Sequence, residues 1–237
     1  LDPPECRKIH SPSDRYWVFV NQLAAEVYKK YPDADVRGWA YQNFHNVPFT
    51  VKPDPRMAVQ LVFNRRCQRH RLDDPKCEVN REYYKHFKDW SQTGNMLFTW
   101  EQFNVSGRWF MPMENTFVND LVTYYKLGVD GAMLVTQPPD GVYGKKHDNT
   151  LIPQVWRCMW QTLYLSSALL WDVNRDKDAL CEEAGRLYYG KAWEEGLKQF
   201  RALLSKTAAE TPGCFGHGLD QAAGRCLDAP AAHQQLL

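Results

Sequence analysis

Apolar positions along this chain keep two alternating rhythms. Tyr16, Val20, Leu23, Ala24 and Val27 lie three and four apart, the spacing of one helix face. Ser11-Pro12-Ser13-Asp14 offers a cap and an acidic first turn, while Lys29-Lys30 and Pro32 mark the end. Four short apolar runs then read as strands: 36–44, ending in Tyr41, Gln42 and Asn43; 57–63, with Val59, Leu61 and Val62; 95–102; and 129–136. Helical spacing returns between them. Asn80 can cap a helix carrying Tyr83, Tyr84, Phe87 and Trp90 that stops at Gly94, and 116–127 reads as another that stops at Gly128. After 150 the pattern is helical only: 153–171, a helix opened by Asp176 or Asp178 that stops near Gly190, and 192–208 with Trp193, Leu197, Phe200, Leu203 and Leu204 on one face. From 211 the chain is rich in Gly, Ala and Gln and reads as a poorly ordered tail.

Strands alternating with helices imply parallel pairing through right-handed crossovers. Each strand run exits into a long loop of polar and aromatic residues, whereas the turns back from helix to strand are short. That asymmetry belongs to an α/β barrel with its functional loops on one face. Four strands cannot close an eight-stranded barrel. The chain is therefore either the second half of a (β/α)8, TIM-like barrel or an open α/β domain. A start at Leu1 without Met, inside the loop-like Asp2-Pro3-Pro4-Glu5, favours the half-barrel. The expected organisation is a half-barrel over 1–150, a helical extension over 151–210 and a tail over 211–237.

A net charge of +1 leaves no basic field for nucleic acid or an anionic membrane. No apolar run approaches the length of a membrane span. With 9 Trp and 12 Tyr the chain is rich in aromatic rings; core filling accounts for most of them, and sugar clefts use such rings as stacking platforms. There is no HExxH, no P-loop, no dinucleotide fingerprint and no GxSxG elbow, so no cofactor and no metal is expected. The seven Cys show no CxxC and no Cys/His zinc spacing. Cys158 and Cys181 lie in helical patterns as buried thiols. Cys67 with Cys77, and Cys214 with Cys226, are candidate local disulfides.

Candidate chemistry then rests on carboxylates at strand ends. Glu101 stands at the exit of the 95–102 run, crowded by Trp100, Gln102 and Asn104. Asp130 sits near the start of its strand, on the opposite, stabilising edge. Glycoside hydrolysis needs two carboxylates, or one working with the substrate's own 2-acetamido group while a second orients that group. Glu101 is the candidate general acid/base. Its partner is Glu114, or it lies upstream of Leu1. Trp39, Tyr41, Asn64, Trp100 and Gln137, with Glu114, are the candidate substrate-binding residues. A non-catalytic carbohydrate-binding barrel would keep the aromatic residues without a working carboxylate pair. A structural module offering only a partner surface is a third reading.

The stretch from Asp14 through Tyr31-Pro32-Asp33, with Trp39-Ala40-Tyr41, Cys77 between Asp74 and Asn80, Trp90, and Leu127-Gly128-Val129-Asp130-Gly131, resembles a bacterial family catalogued as domain of unknown function 4838. Trp171-Asp172-Val173-Asn174 and Leu187-Tyr188-Tyr189-Gly190 resemble its helical close, so the likeness runs over roughly 6–205. That family is linked to glycoside hydrolase family 163, endo-β-N-acetylglucosaminidases of complex N-glycans. The resemblance implies a barrel, a retaining mechanism assisted by the acetamido group, an acid/base Glu that only Glu101 matches, and a secreted, periplasmic or cell-surface location. It also implies an Asp at the preceding strand end, which here would fall just before Leu1.

Overall fold

The computed structural model describes residues 9, 11–102, 113–135, 152–210 and 212–216, with the main chain alone at 102, 135 and 152–158. The chain divides into two compact units. The first comprises Leu1–Asn64, Glu82–Glu101 and Tyr124–Leu134; the second comprises Arg65–Arg81, Gln102–Thr123 and Val135–Leu237.

The first unit carries the sheet. Strands β1 (Arg37–Tyr41), β2 (Ala58–Val62), β3 (Met96–Gln102) and β4 (Gly131–Val135) lie in sequential order β1-β2-β3-β4. The β1–β2 and β2–β3 pairs are parallel, with Gly38 opposite Val59 and Val59 opposite Leu97. Helices α1 (Pro12–Lys30), α2 (Glu78–Ser91) and α3 (Phe117–Lys126) alternate with the strands. This is the mixed α/β order of half a TIM-like barrel.

Side chains alternate across a strand, so the register fixes two faces. Gly38, Ala40, Val59, Leu61, Leu97 and Thr99 share one, and all of them are buried. Helices cover this face. Trp17 of α1 is fully buried, and a Cβ built on Gly38 would lie 2.3 Å from its ring. Position 38 is therefore glycine because the indole occupies the space a side chain would fill. Trp17 meets Trp90 of α2 with ring centroids 5.7 Å apart, and Phe87 packs on Tyr124 at 4.8 Å.

Helix α1 starts as its sequence requires. The Ser11 hydroxyl accepts from the Asp14 amide at 3.0 Å and donates to the Asp14 carboxylate at 2.5 Å. Asp14 also accepts from the amides of Thr50 and Val51 and from the Thr50 hydroxyl, at 2.7, 3.1 and 2.9 Å. Buried as it is, it ties the helix start to the loop before β2.

Three expectations are corrected. The 36–44 run is strand only to Tyr41; Gln42–Phe44 form a 3-10 turn, entered through Gln42 at φ 46°. Helix α2 begins at Glu78, and Asn80 lies inside its first turn. The Asn80 side chain does not cap the helix but bonds back to the carbonyls of Cys67, His70 and Arg71, at 3.0, 2.8 and 3.0 Å. Cys67 and Cys77 are free thiols, not a local disulfide, and Cys214 is free as well. Asn80 fixes the Cys67 end of the loop, while Cys77 opens α2 with its sulfur beside that of Cys214 at 3.6 Å. Cys226 lies outside the described residues.

The second unit includes α4 (Ile152–Trp171), α5 (Lys177–Tyr189) and α6 (Lys198–Glu210), with a π turn over Trp193–Leu197. Asp176 caps α5, accepting from the amides of Asp178 and Ala179 at 2.8 and 3.0 Å. Leu165, Leu180, Ala184, Trp193 and Leu204 are buried there. Residues 212–216, at the head of the segment read as a tail, are held in place. Gln68 donates its amide to the Phe215 carbonyl at 2.6 Å, and Arg69 donates to the carbonyls of Pro212 and Gly213 at 2.8 and 3.1 Å.

Candidate functional site

Parallel strands deliver their C-terminal ends to one edge. Tyr41 ends β1, Asn64 follows β2 by two residues and Glu101 is the penultimate residue of β3. Gln137 lies outside the described residues, as do Phe103 and Trp109.

Three of the expected residues meet on the sheet face away from the helices. Trp39 lies 5.5 Å from Trp100, at 52° between the rings, and 6.3 Å from Tyr41, at 77°. Below them the Arg37 guanidinium stacks on Phe98 at 4.4 Å. Trp39 keeps 42% of its surface exposed, and Met96 and Met133 of the same face keep 54% and 49%. An indole with open surface, as Trp39 has, offers an apolar face of the size of a sugar ring.

Glu101 points the other way. It continues the face of Leu97 and Thr99 and is buried beneath α3, where the Tyr124 hydroxyl donates to its Oε1 at 2.6 Å. Tyr124 is itself buried and backed by Phe87. The carboxyl is thus oriented by a fixed donor, and strand alternation separates it from the Trp100 ring next to it in sequence. Asp130 stands at the opposite edge: its amide donates to the Leu97 carbonyl and its carboxylate accepts from the Leu97 amide, each at 2.8 Å. Glu114, in the second unit, is buried in an ion pair with Arg201 of α6.

The sequence matches the family described as Domain of unknown function (DUF4838) over residues 6–201. The chain belongs to the DUF4838 family. No curated protein and no solved structure matches it. Helices of DUF4838 as seen here include none long and apolar enough to cross a membrane, among the described residues.

The second unit of this DUF4838 chain holds a constellation absent from the sequence reading. The ligand-type atoms of Cys67, His70, Cys77 and Cys214 all lie within 4.8 Å of one another. Cys67 Sγ is 3.3 Å from His70 Nδ1, Cys77 Sγ is 3.6 Å from Cys214 Sγ, and Cys214 Sγ is 4.0 Å from His70 Nδ1. Burial pushes the Cys77 thiol up to about 12, with the neighbouring thiols adding to the rise against the Asn80 amide bond. Burial likewise lowers His70, partly countered by Asp74. The available signal was Cys67-x-x-His70 with Cys77 seven residues on. Cys214 carries no such mark, because only the fold brings it there.

Proposed function

We propose that this chain forms part of a glycoside hydrolase acting on N-acetylglucosamine-containing glycans outside the cytoplasm, at the cell surface, in the periplasm or secreted. The observation that carries the reading is the aromatic group of exposed Trp39 with Tyr41 and Trp100, which runs along one sheet face to the C-terminal ends of the parallel strands, where barrel enzymes keep their sites. Stacking on these rings would hold the glycan. Glu101, at the same edge and oriented by Tyr124, is the proposed general acid/base, and the acetamido oxygen of the substrate the proposed internal nucleophile.

One observation favours a second reading, a non-catalytic carbohydrate-binding barrel: Glu101 faces the helices while the rings face away. One experiment separates the two. Glycan release from a complex N-glycoprotein and binding of the same glycan are measured for wild type and Glu101→Gln. The hydrolase reading expects release by wild type, a fall of about 10²–10⁴-fold in the variant, and unchanged binding. Binding without release in both proteins establishes the second reading. Release that survives the substitution removes Glu101 from the chemistry.

A further inference from the structure

We infer that Cys67, His70, Cys77 and Cys214 form a closed, four-coordinate zinc site that joins the 67–77 loop to the segment after α6. Zinc bonds of about 2.3 Å to sulfur and 2.0–2.1 Å to nitrogen, at tetrahedral angles, set two sulfurs about 3.8 Å apart and a sulfur and a nitrogen about 3.5 Å apart. The distances of 3.6 Å between Cys77 and Cys214, and of 3.3 and 4.0 Å from His70 to its two sulfurs, scatter around those edges. A disulfide would need its sulfurs at about 2.05 Å. Three thiolates and one imidazole are the donor set of structural zinc and leave no open position for a substrate.

The surroundings are those of a ligand cage. Asn80, fully buried, fixes the Cys67 end of the loop: its Oδ1 accepts from the Cys67 amide at 2.9 Å, while its Nδ2 holds three loop carbonyls. Its own amide points at Cys77 Sγ at 3.5 Å, the direction from which an N–H supports a metal thiolate. The middle of the loop is held by Asp120, which accepts from the Leu72 amide at 2.8 Å. Gln68 and Arg69, between the first two ligands, grip the backbone around Cys214. Zinc would displace the protons of three thiols and leave the centre with one net negative charge.

The test is metal content of the full chain, purified under reducing conditions without chelator. One zinc per chain is expected. Cys214→Ser and His70→Ala should each remove it, and Cys181→Ser, which changes a free cysteine outside the cluster, should retain it. Should the first two variants fail to fold, wild type alone decides. Exchange of zinc for cobalt should give the absorption of a tetrahedral, thiolate-bound ion, and chelation should expose Cys67, Cys77 and Cys214 to alkylation. Wild type that neither retains zinc nor takes up stoichiometric zinc or cobalt overturns the proposal. So does a Cys77–Cys214 disulfide in the purified protein, or equal loss of metal in Cys181→Ser.

Discussion

The strand-end edge of the first unit and the thiol–imidazole cluster of the second are built on opposite plans. The edge is open: Trp39 keeps 42% of its surface, and the carboxylate is separated from the rings by the alternation of one strand. The cluster is closed: Cys67 and Cys77 are buried, and the loop, the helix start and the segment at 212–216 are pinned around them. An open edge suits a ligand that comes and goes. A closed cage suits an ion that stays and holds the backbone. Substitutions near the cluster should therefore register first as lost stability, and substitutions at the edge as lost binding.

The largest effect is expected at Asp120. It pairs with Arg66 at 2.9 Å, with 3% and 0% of the two side chains exposed, and also accepts from the Leu72 amide at 2.8 Å. Asp120→Ala leaves a buried guanidinium without its carboxylate, a change that typically costs about 3–5 kcal/mol. Denaturant unfolding should show that loss, and the zinc content should fall with it. A variant with wild-type midpoint and full metal would show that the cage does not depend on this pair.

Next is Gly38→Ala, in the first unit. The added methyl would lie 2.3 Å from the Trp17 ring, against a side chain with no open space to retreat into. Overpacking of this kind costs about 1–3 kcal/mol. The melting temperature should fall while zinc content stays at the wild-type level, since the ligands belong to the other unit. A parallel loss of metal would contradict the division of labour.

How much of this was legible depended on how far apart in sequence the partners lie. The strands were readable because β-type runs and stop signals such as Gly94 and Gly128 are local. The meeting of Trp39, Tyr41 and Trp100 followed from parallel strands ending at one edge. The direction of Glu101 was not readable, because period-2 alternation assigns two faces without saying which is covered by helices. Tyr124, its hydrogen-bond partner, is 23 residues away on a helix face that reads as ordinary core. Asn80 carried a misleading signal, since the amide that can cap a helix can equally close a loop. The cluster was least legible: Cys77 and Cys214 stand 137 residues apart, and no local pattern encodes contact at that range.

A smaller effect separates the units by pH. Burial alone would raise the Asp14 carboxyl, yet the bonds from Ser11, Thr50 and Val51 outweigh it and draw its pKa from 3.8 down to about 2. A depressed carboxylate contributes stability above its unfolded pKa and loses it as pH falls through the folded one. Wild type should therefore exceed Asp14→Asn in unfolding midpoint at pH 5, with the advantage shrinking between 3.8 and about 2. An advantage that stays constant over that range would mean that the carboxylate charge is irrelevant to the anchor.

The smallest expected change in stability, and the sharpest test of the open edge, is Trp39→Ala. Trp39 is 42% exposed and leans on Trp100 and Tyr41 from the sheet face away from the helices. Truncation forfeits an aromatic contact of about 0.5–1.5 kcal/mol and leaves a surface hollow that water can fill, so the fold should survive with a shift near 1 kcal/mol. Binding should respond differently. If the two indoles form one platform, loss of either weakens glycan affinity by about 3–10-fold, the equivalent of one ring contact. Loss of both should then cost less than the sum of the single losses, because each ring positions the other. Titration of wild type, Trp39→Ala, Trp100→Ala and the double variant with a GlcNAc-containing oligosaccharide closes the cycle. Affinity unchanged in all four proteins would make the rings an apolar sheet face awaiting protein rather than sugar. Additive losses would mean two independent contacts in place of one platform.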